Sequence, residues 1–183
     1  MLSVEFLTEF RRRTEAKWLE LALDPQIYGF QFQRGTRWNP GLSEKGIVAY
    51  QGLLGVQFTR DFIDFLRAMN GTDLPTQNVY GSCGEPHRQS VGVYSYPRDL
   101  ERIQSMIERV RTDRMTLSSA MANQGYALPV TAGLVPIYGQ RYVVCGADPE
   151  NSAVLSIASA EDAIVYGYSL QEYLEREFLA QEC

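Results

Sequence analysis

Apolar and polar positions along this chain follow two rhythms, one near helical spacing and one alternating, and together they divide it into helices and strands. From 2 to 22, Phe6, Phe10, Trp18 and Leu21 recur at helical spacing while Arg11-Arg12-Arg13 and Lys17 project elsewhere, which predicts an amphipathic helix. Glu9, Glu15 and Glu20 lie close enough to neutralise the arginines, so the run reads as a solvated helix face. Asp24-Pro25 stops the helix, because a residue before proline is pushed out of helical geometry. Tyr28, Phe30 and Phe32 then alternate with Gly29, Gln31 and Gln33, as in a strand with one apolar face. Ser43 is placed to cap a helix carrying Ile47, Leu53 and Leu54, which Gly55 closes. Thr59 caps the next, where Phe62, Phe65, Leu66 and Met69 share a face and Asn70-Gly71 ends the run.

The 72–97 stretch is turn-rich, with Gly81, Gly84, Pro86, Gly92 and Pro97, and offers only Val79-Tyr80 and Val91 to Tyr94 as short strands. A helical insertion at about 97–125 follows. Leu100, Ile103, Met106 or Ile107, and Val110 keep the helical period, and a second helix over Leu117 to Asn123 ends before Gly125. Its outer face alternates charge through Glu101, Arg102, Glu108, Arg109 and Arg111, so it reads as decoration, with Met106, Met115 and Met121 as core fillers.

From Leu134 the pattern becomes that of strands. Leu134 to Ile137 and Arg141 to Cys145 flank Tyr138-Gly139-Gln140 as a hairpin, with Pro136 confined to an edge or a strand start. Ala153 to Ile157 and Ala163 to Tyr166 are two more strands. Ser169 stands three residues before Glu172, the spacing of a reciprocal helix cap, and Leu170, Tyr173, Leu174 and Phe178 follow on one face. The fold class is therefore α+β: one domain over residues 1–183, with a central, mainly antiparallel sheet, helices packed on it, and the insertion.

Charge changes the picture at one end. The net charge is −5, but from Gly146 onward eight acids face only Arg176, which leaves that region at −7 and the first 145 residues at +2. A chain that grips nucleic acid directly is expected to carry a basic stripe, so DNA or RNA is not the expected partner. A basic protein is a better match. No apolar run approaches the roughly 20 residues of a bilayer span, and Glu5 and Glu9 interrupt what would be a secretory leader. A cytoplasmic location is expected.

Catalytic motifs are missing from the sequence. There is no GxxxxGK(S/T) loop, GxGxxG, HExxH or GxSxG elbow. Cys83 and His87, the only histidine, lie four apart in the turn-rich stretch with no third group to orient the imidazole, and they are two ligands short of a structural metal site. Cys145 reads as a small buried residue and Cys183 as an exposed terminus. Asp61 with Asp64, and Glu161 with Asp162, are acid pairs by proximity alone, each explained by helix-start or turn chemistry. No cofactor or metal is implied, and an undetected paired-carboxylate hydrolase is the remaining enzymatic alternative.

The run LVPIYGQRYVVCGADPENSAVLSI followed by DAIVYGYSLQEYLEREF resembles the carboxy-terminal half of the SUKH superfamily, and Trp38, Gly41-Leu42, Gly55, the aromatic helix and Asn70-Gly71 resemble its amino-terminal signature. That superfamily includes bacterial toxin-immunity proteins and the fungal Smi/Knr regulators of cell-wall assembly. Two positions depart from it: Thr59 stands where a proline is common, and no glutamate lies near Tyr50-Gln51. The resemblance implies a non-enzymatic immunity protein that binds and blocks a toxin, such as a nuclease with a basic surface. The alternative it implies is a scaffolding regulator. For the partner-binding surface the acid-rich end supplies Asp148, Glu150, Glu161, Asp162, Glu172 and Glu175, since complementary charge speeds and orients encounter.

Overall fold

The computed structural model describes residues 2–82, 88–146 and 152–180, and Cys83, His87, Asp148, Glu150 and Cys183 lie outside the described residues. Helix α1 spans Val4–Glu20, capped by Ser3, whose side chain accepts from the Phe6 N–H. It is followed by strand β1 (Trp38–Pro40), helices α2 (Glu44–Leu54) and α3 (Arg60–Ala68), and strands β2 (Met69–Thr72), β3 (Thr76–Asn78) and β4 (Arg88–Ser90). Helices α4 (Leu100–Thr112) and α5 (Arg114–Ala122) come next. Four strands complete the sheet: β5 (Gly133–Tyr138), β6 (Arg141–Cys145), β7 (Val154–Ile157) and β8 (Ala163–Gly167). The chain closes with helix α6 (Leu170–Leu174), which runs into a π-helical turn, Glu175–Leu179.

Strands β5 to β8 form an antiparallel meander in the order β5-β6-β7-β8. Tyr138 pairs with Arg141, so the hairpin turn is Gly139-Gln140, with Gly139 at φ 51°. Pro136 sits on β5, an outer strand of the sheet, where a missing N–H is tolerated. Strands β1 and β2 pair apart from this sheet, as do β3 and β4, both antiparallel. The α+β fold with its mainly antiparallel centre is thus present as a single domain.

Both faces of the sheet are apolar. Val135, Ile137, Val143, Cys145 and Val154 face a core that includes Leu7, Phe10 and Trp18 of α1, Phe62 and Phe65 of α3, and Leu170, Leu174 and Phe178 of the carboxy-terminal helix. Leu134, Tyr142, Val144, Leu155, Ile157 and Ala163 face a second core made with Val110 of α4 and Leu117 and Met121 of α5. This explains why β5 to β7 read as nearly continuous apolar runs: alternation appears only where one face is wet. It also revises the reading of the 97–125 insertion, which covers the second face of the sheet and is not decoration. Met121 is fully buried and Met106 is partly so, but Met115 is 86% exposed and fills no core.

Three predicted strands are placed differently. Residues 28–32 form no strand, and only Gln31 bridges to Gln77. Gly29 (φ 105°) and Gly35 (φ 79°) turn the chain away from extended geometry. The Gln31 amide holds Asp24 from both sides, accepting from its N–H at 3.0 Å and donating to its carbonyl at 2.8 Å. Phe32 is thereby turned onto Trp18, with centroids 4.7 Å apart, while Tyr28 is exposed. Val79-Tyr80 and Val91 to Tyr94 lie just outside strands, which form at Thr76–Asn78 and Arg88–Ser90. Asn70-Gly71 does end α3, but it then serves β2. The Asn70 amide clasps Tyr96, donating to its carbonyl at 2.6 Å and accepting from its N–H at 3.0 Å. A Cβ at Gly71 would meet the Val93 carbonyl oxygen at 2.6 Å, so only glycine fits.

Leu117→Ala tests the structural role of the helical pair. Leu117 is fully buried against the sheet, and its truncation is expected to lower unfolding free energy by about 2–5 kcal/mol in chemical denaturation. An effect below about 0.5 kcal/mol, the usual range for surface positions, would mean that the pair is not part of the core.

Candidate interaction site at the β8 edge

Strand β8 is the edge of the sheet opposite β5. The turn before it is built by Ser159, whose Oγ accepts from the Asp162 N–H at 3.1 Å and donates to Glu161 at 3.0 Å. After β8, the Ser169 hydroxyl accepts from the Glu172 N–H at 3.1 Å and the Glu172 carboxylate accepts from the Tyr168 N–H at 2.8 Å, which starts α6 as the spacing predicts. Glu175 accepts from the Gln171 amide at 3.1 Å. Glu161 and Asp162 thus flank one end of the edge strand, and Glu172 and Glu175 follow the other. All four are exposed, and none forms an ion pair among the described residues. They do not lie on one face. Glu161 borders grooves against α4 and α5, whereas Glu172 and Glu175 belong to the helix that packs on the other side of the sheet.

Two large apolar side chains are exposed along the same stretch of chain: Ile164 is 44% exposed and Tyr168 69% exposed. The edge itself is guarded. Gln124, in the turn after α5, donates to the Ala163 carbonyl, and Arg176 donates to the Tyr166 carbonyl at 2.9 Å. Side chains from both covering layers therefore occupy backbone acceptors that an open edge would offer to another strand.

Beneath the edge, Arg141 ties the sheet to the last helix. Its Nε donates to Glu177 at 3.2 Å and its Nη1 to Ser156 Oγ at 2.7 Å. Its guanidinium lies 4.0 Å from the Tyr166 ring centroid, and that of Arg176 lies 4.3 Å from the same centroid. Burial works to lower the Arg141 pKa, and the Glu177 carboxylate and Tyr166 outweigh it, so the group stays firmly cationic. The neighbouring Tyr173 hydroxyl is fully buried with no hydrogen-bond partner among the described residues, and burial raises its pKa well above that of a free phenol. Sequence reasoning placed Arg141 and Tyr166 on strands but missed the pairing of Arg141 with Glu177 and its stacking on Tyr166. An arginine opening a strand beside an otherwise apolar run was the available signal.

The other candidate groups are engaged structurally. Asp61 is buried and accepts from the Leu2 N–H at 2.7 Å, holding the start of the chain. Asp64 pairs with Arg67 at 3.1 Å. Arg11 and Arg12 pair with Glu15 and Glu9. Cys145 is buried, and burial pushes its thiol up to about 12, far from a reactive thiolate. Thr59, which departs from the resembled pattern, caps α3 through its Oγ1 and accepts from Ser152 Oγ at 3.0 Å. Among the described residues no group of three or more histidine, cysteine or acidic side chains is placed to hold a metal, and no helix is long and apolar enough to cross a membrane.

By fold and surface this is an α+β protein with a side-chain-guarded sheet edge framed by unpaired acids. Comparison with protein-family models, curated proteins and solved structures finds no match.

Two substitutions test the buried polar knot. The Arg141 and Glu177 side chains are only 19% and 15% exposed, so Arg141→Met strands a carboxylate and is expected to cost about 2–4 kcal/mol. Adding Glu177→Gln should recover part of that loss, and a double-mutant cycle in urea measures the coupling. Tyr173→Phe removes a buried, unsatisfied hydroxyl and is expected to be neutral or to stabilise by about 1 kcal/mol, whereas a loss beyond about 1 kcal/mol would reveal a partner for the hydroxyl.

Proposed function

We propose that this chain is a non-enzymatic protein-binding domain that neutralises a cognate bacterial toxin, the role its resemblance to the SUKH superfamily implies. The observation that carries the reading is the β8 edge, where Ile164 and Tyr168 are exposed along the same stretch of chain as four carboxylates that no basic side chain in the described residues neutralises. An apolar centre with a charged rim is how protein interfaces are arranged, and tyrosine is among the residues that dominate their energetics. The sign of the rim selects the partner. A nuclease domain must present lysines and arginines to grip phosphates, and those side chains meet Glu161, Asp162, Glu172 and Glu175 with complementary charge.

The division of the acids between two layers makes the contact a clasp around the edge strand. Glu161 and Asp162 approach from the α5 side, and Glu172 and Glu175 from the α6 side. Each pair then contributes to association largely independently.

The test is binding to the toxin encoded beside this chain's gene, followed by calorimetry and protection of growing cells. Wild-type protein should bind, and the association rate should fall steeply with added salt. Ile164→Glu with Tyr168→Ala should weaken binding by at least about tenfold, the signature of a hot spot at the centre. Charge reversal at Glu161 and Asp162, or at Glu172 and Glu175, should chiefly slow association. If the protein binds no neighbouring toxin and gives no protection, the immunity reading fails. If it binds with salt-insensitive kinetics, the edge is the wrong surface.

A further inference from the structure

A second surface lies at the opposite side of the sheet, in a groove of about 380 Å3 where α4 meets α5. Its floor is the start of β5 and the end of β6, at Gly133, Leu134 and Gly146. One wall is apolar, made by Val56 and Ile107, and Val130 stands at the rim with 93% of its surface exposed. Among the described residues lining it, Arg111 and Arg114 are the only charged ones.

Arg114 is the unusual member. It is half-buried at the first position of α5, and its Nη2 donates to the Pro129 carbonyl at 2.5 Å. Among the described residues no carboxylate pairs with it. Burial pushes its pKa down, with Tyr126 opposing the shift. A guanidinium has five N–H donors in a fixed fork, and among the described residues the Pro129 carbonyl is the one acceptor shown for Arg114. Partial burial strips some water from this cation, and an anion arriving in the groove would replace it with charge-assisted hydrogen bonds. Arg111 pairs with Glu108 at 3.2 Å, but both side chains are more than 60% exposed, and an exposed pair of this kind is weak enough for a stronger anion to displace. Gln57 and Thr131 supply neutral polar groups to the same groove.

The geometry points to a binding site for a small organic phosphate: a dianionic head held between Arg114 and Arg111, with a compact apolar body lying against Val56 and Ile107. Two cations match the charge of a phosphate monoester near pH 7, which is close to −2. The groove's volume and its mixture of apolar walls with a few polar groups are those of small-molecule sites. It adjoins β5, whereas the acid-framed edge is β8, so occupancy here is independent of the protein-binding reading.

The experiment is titration of the full chain at low ionic strength with phenyl phosphate, inorganic phosphate and phenol, read by calorimetry and by amide chemical shifts. Phenyl phosphate should bind saturably, at least about fivefold more tightly than inorganic phosphate, and phenol should not bind. The shifts should centre on 55–57, 107–114 and 130–134. Arg114→Gln should weaken binding by about tenfold or more, and Arg111→Gln by a smaller factor. Val130→Glu puts an anion at the rim from an exposed position, where it leaves the core intact, and should also weaken binding. It decides the matter if Arg114→Gln does not fold. No saturable binding below roughly 10 mM, equal affinity for inorganic phosphate, or unchanged affinity in Val130→Glu and Arg111→Gln overturns the assignment.

Discussion

The constraint on which this structure depends is a four-stranded sheet with no wet face. An antiparallel meander usually buries one side and alternates in sequence, but here β5 to β7 carry apolar residues on both. Each face therefore requires its own cover. One is covered by α1, α3 and the carboxy-terminal helix, and the other by α4 and α5. This is why the helical pair inserted ahead of the sheet contributes Leu117 and Met121, both fully buried. Whatever else the pair does, the sheet needs it to stay out of water.

On the first face, large aromatics bring together distant parts of the chain. Phe178 lies within 6.3 Å, centroid to centroid, of Phe10, Trp18, Phe32, Trp38, Tyr138 and Tyr173. Trp38 is held further by hydrogen bonds to α1: its indole N–H donates to Thr14 at 2.8 Å and its backbone N–H to Glu15 at 3.1 Å. Thr14 is fully buried in mid-helix, a position where its hydroxyl also bonds back to the Phe10 carbonyl at 2.9 Å. A polar residue is tolerated there because both its donor and its acceptor roles are filled. The first and last helices thus fold onto one another through contacts more than 150 residues apart in sequence, which include Lys17 donating to the Phe178 carbonyl.

Local signals were legible in the sequence, and signals that depend on long-range partners were not. Ser3, Ser43, Thr59 and Ser169 all cap helices, and three of the four were readable from spacing alone because the cap and its N–H lie within one turn. The Gly139-Gln140 turn was readable for the same reason. Alternation at Tyr28, Phe30 and Phe32 misled because it requires a neighbouring strand, and the positive φ of Gly29 removes the extended geometry that pairing needs. The role of 97–125 was hidden because a helix's charged outer face says nothing about which surface its apolar stripe covers. At the candidate site the exposed acids were visible as composition, while the Arg141–Glu177 pair, 36 residues apart, existed only once the sheet and helix had packed.

The guarded edge limits strand addition at β8. A bare edge strand binds by extending the hydrogen-bond ladder, a mode that relies on backbone groups and discriminates weakly among sequences. Here Gln124 and Arg176 already occupy two carbonyls, one from each covering layer, and Arg176 is held in place by stacking on Tyr166. Strand addition would have to displace both. A partner that leaves the guard in place meets side chains instead: Ile164, Tyr168 and the acids that frame them. Side-chain recognition is where shape and charge complementarity set specificity. The same two residues protect the isolated protein from pairing with copies of itself along that edge, so solubility and selectivity place the same demand on the strand.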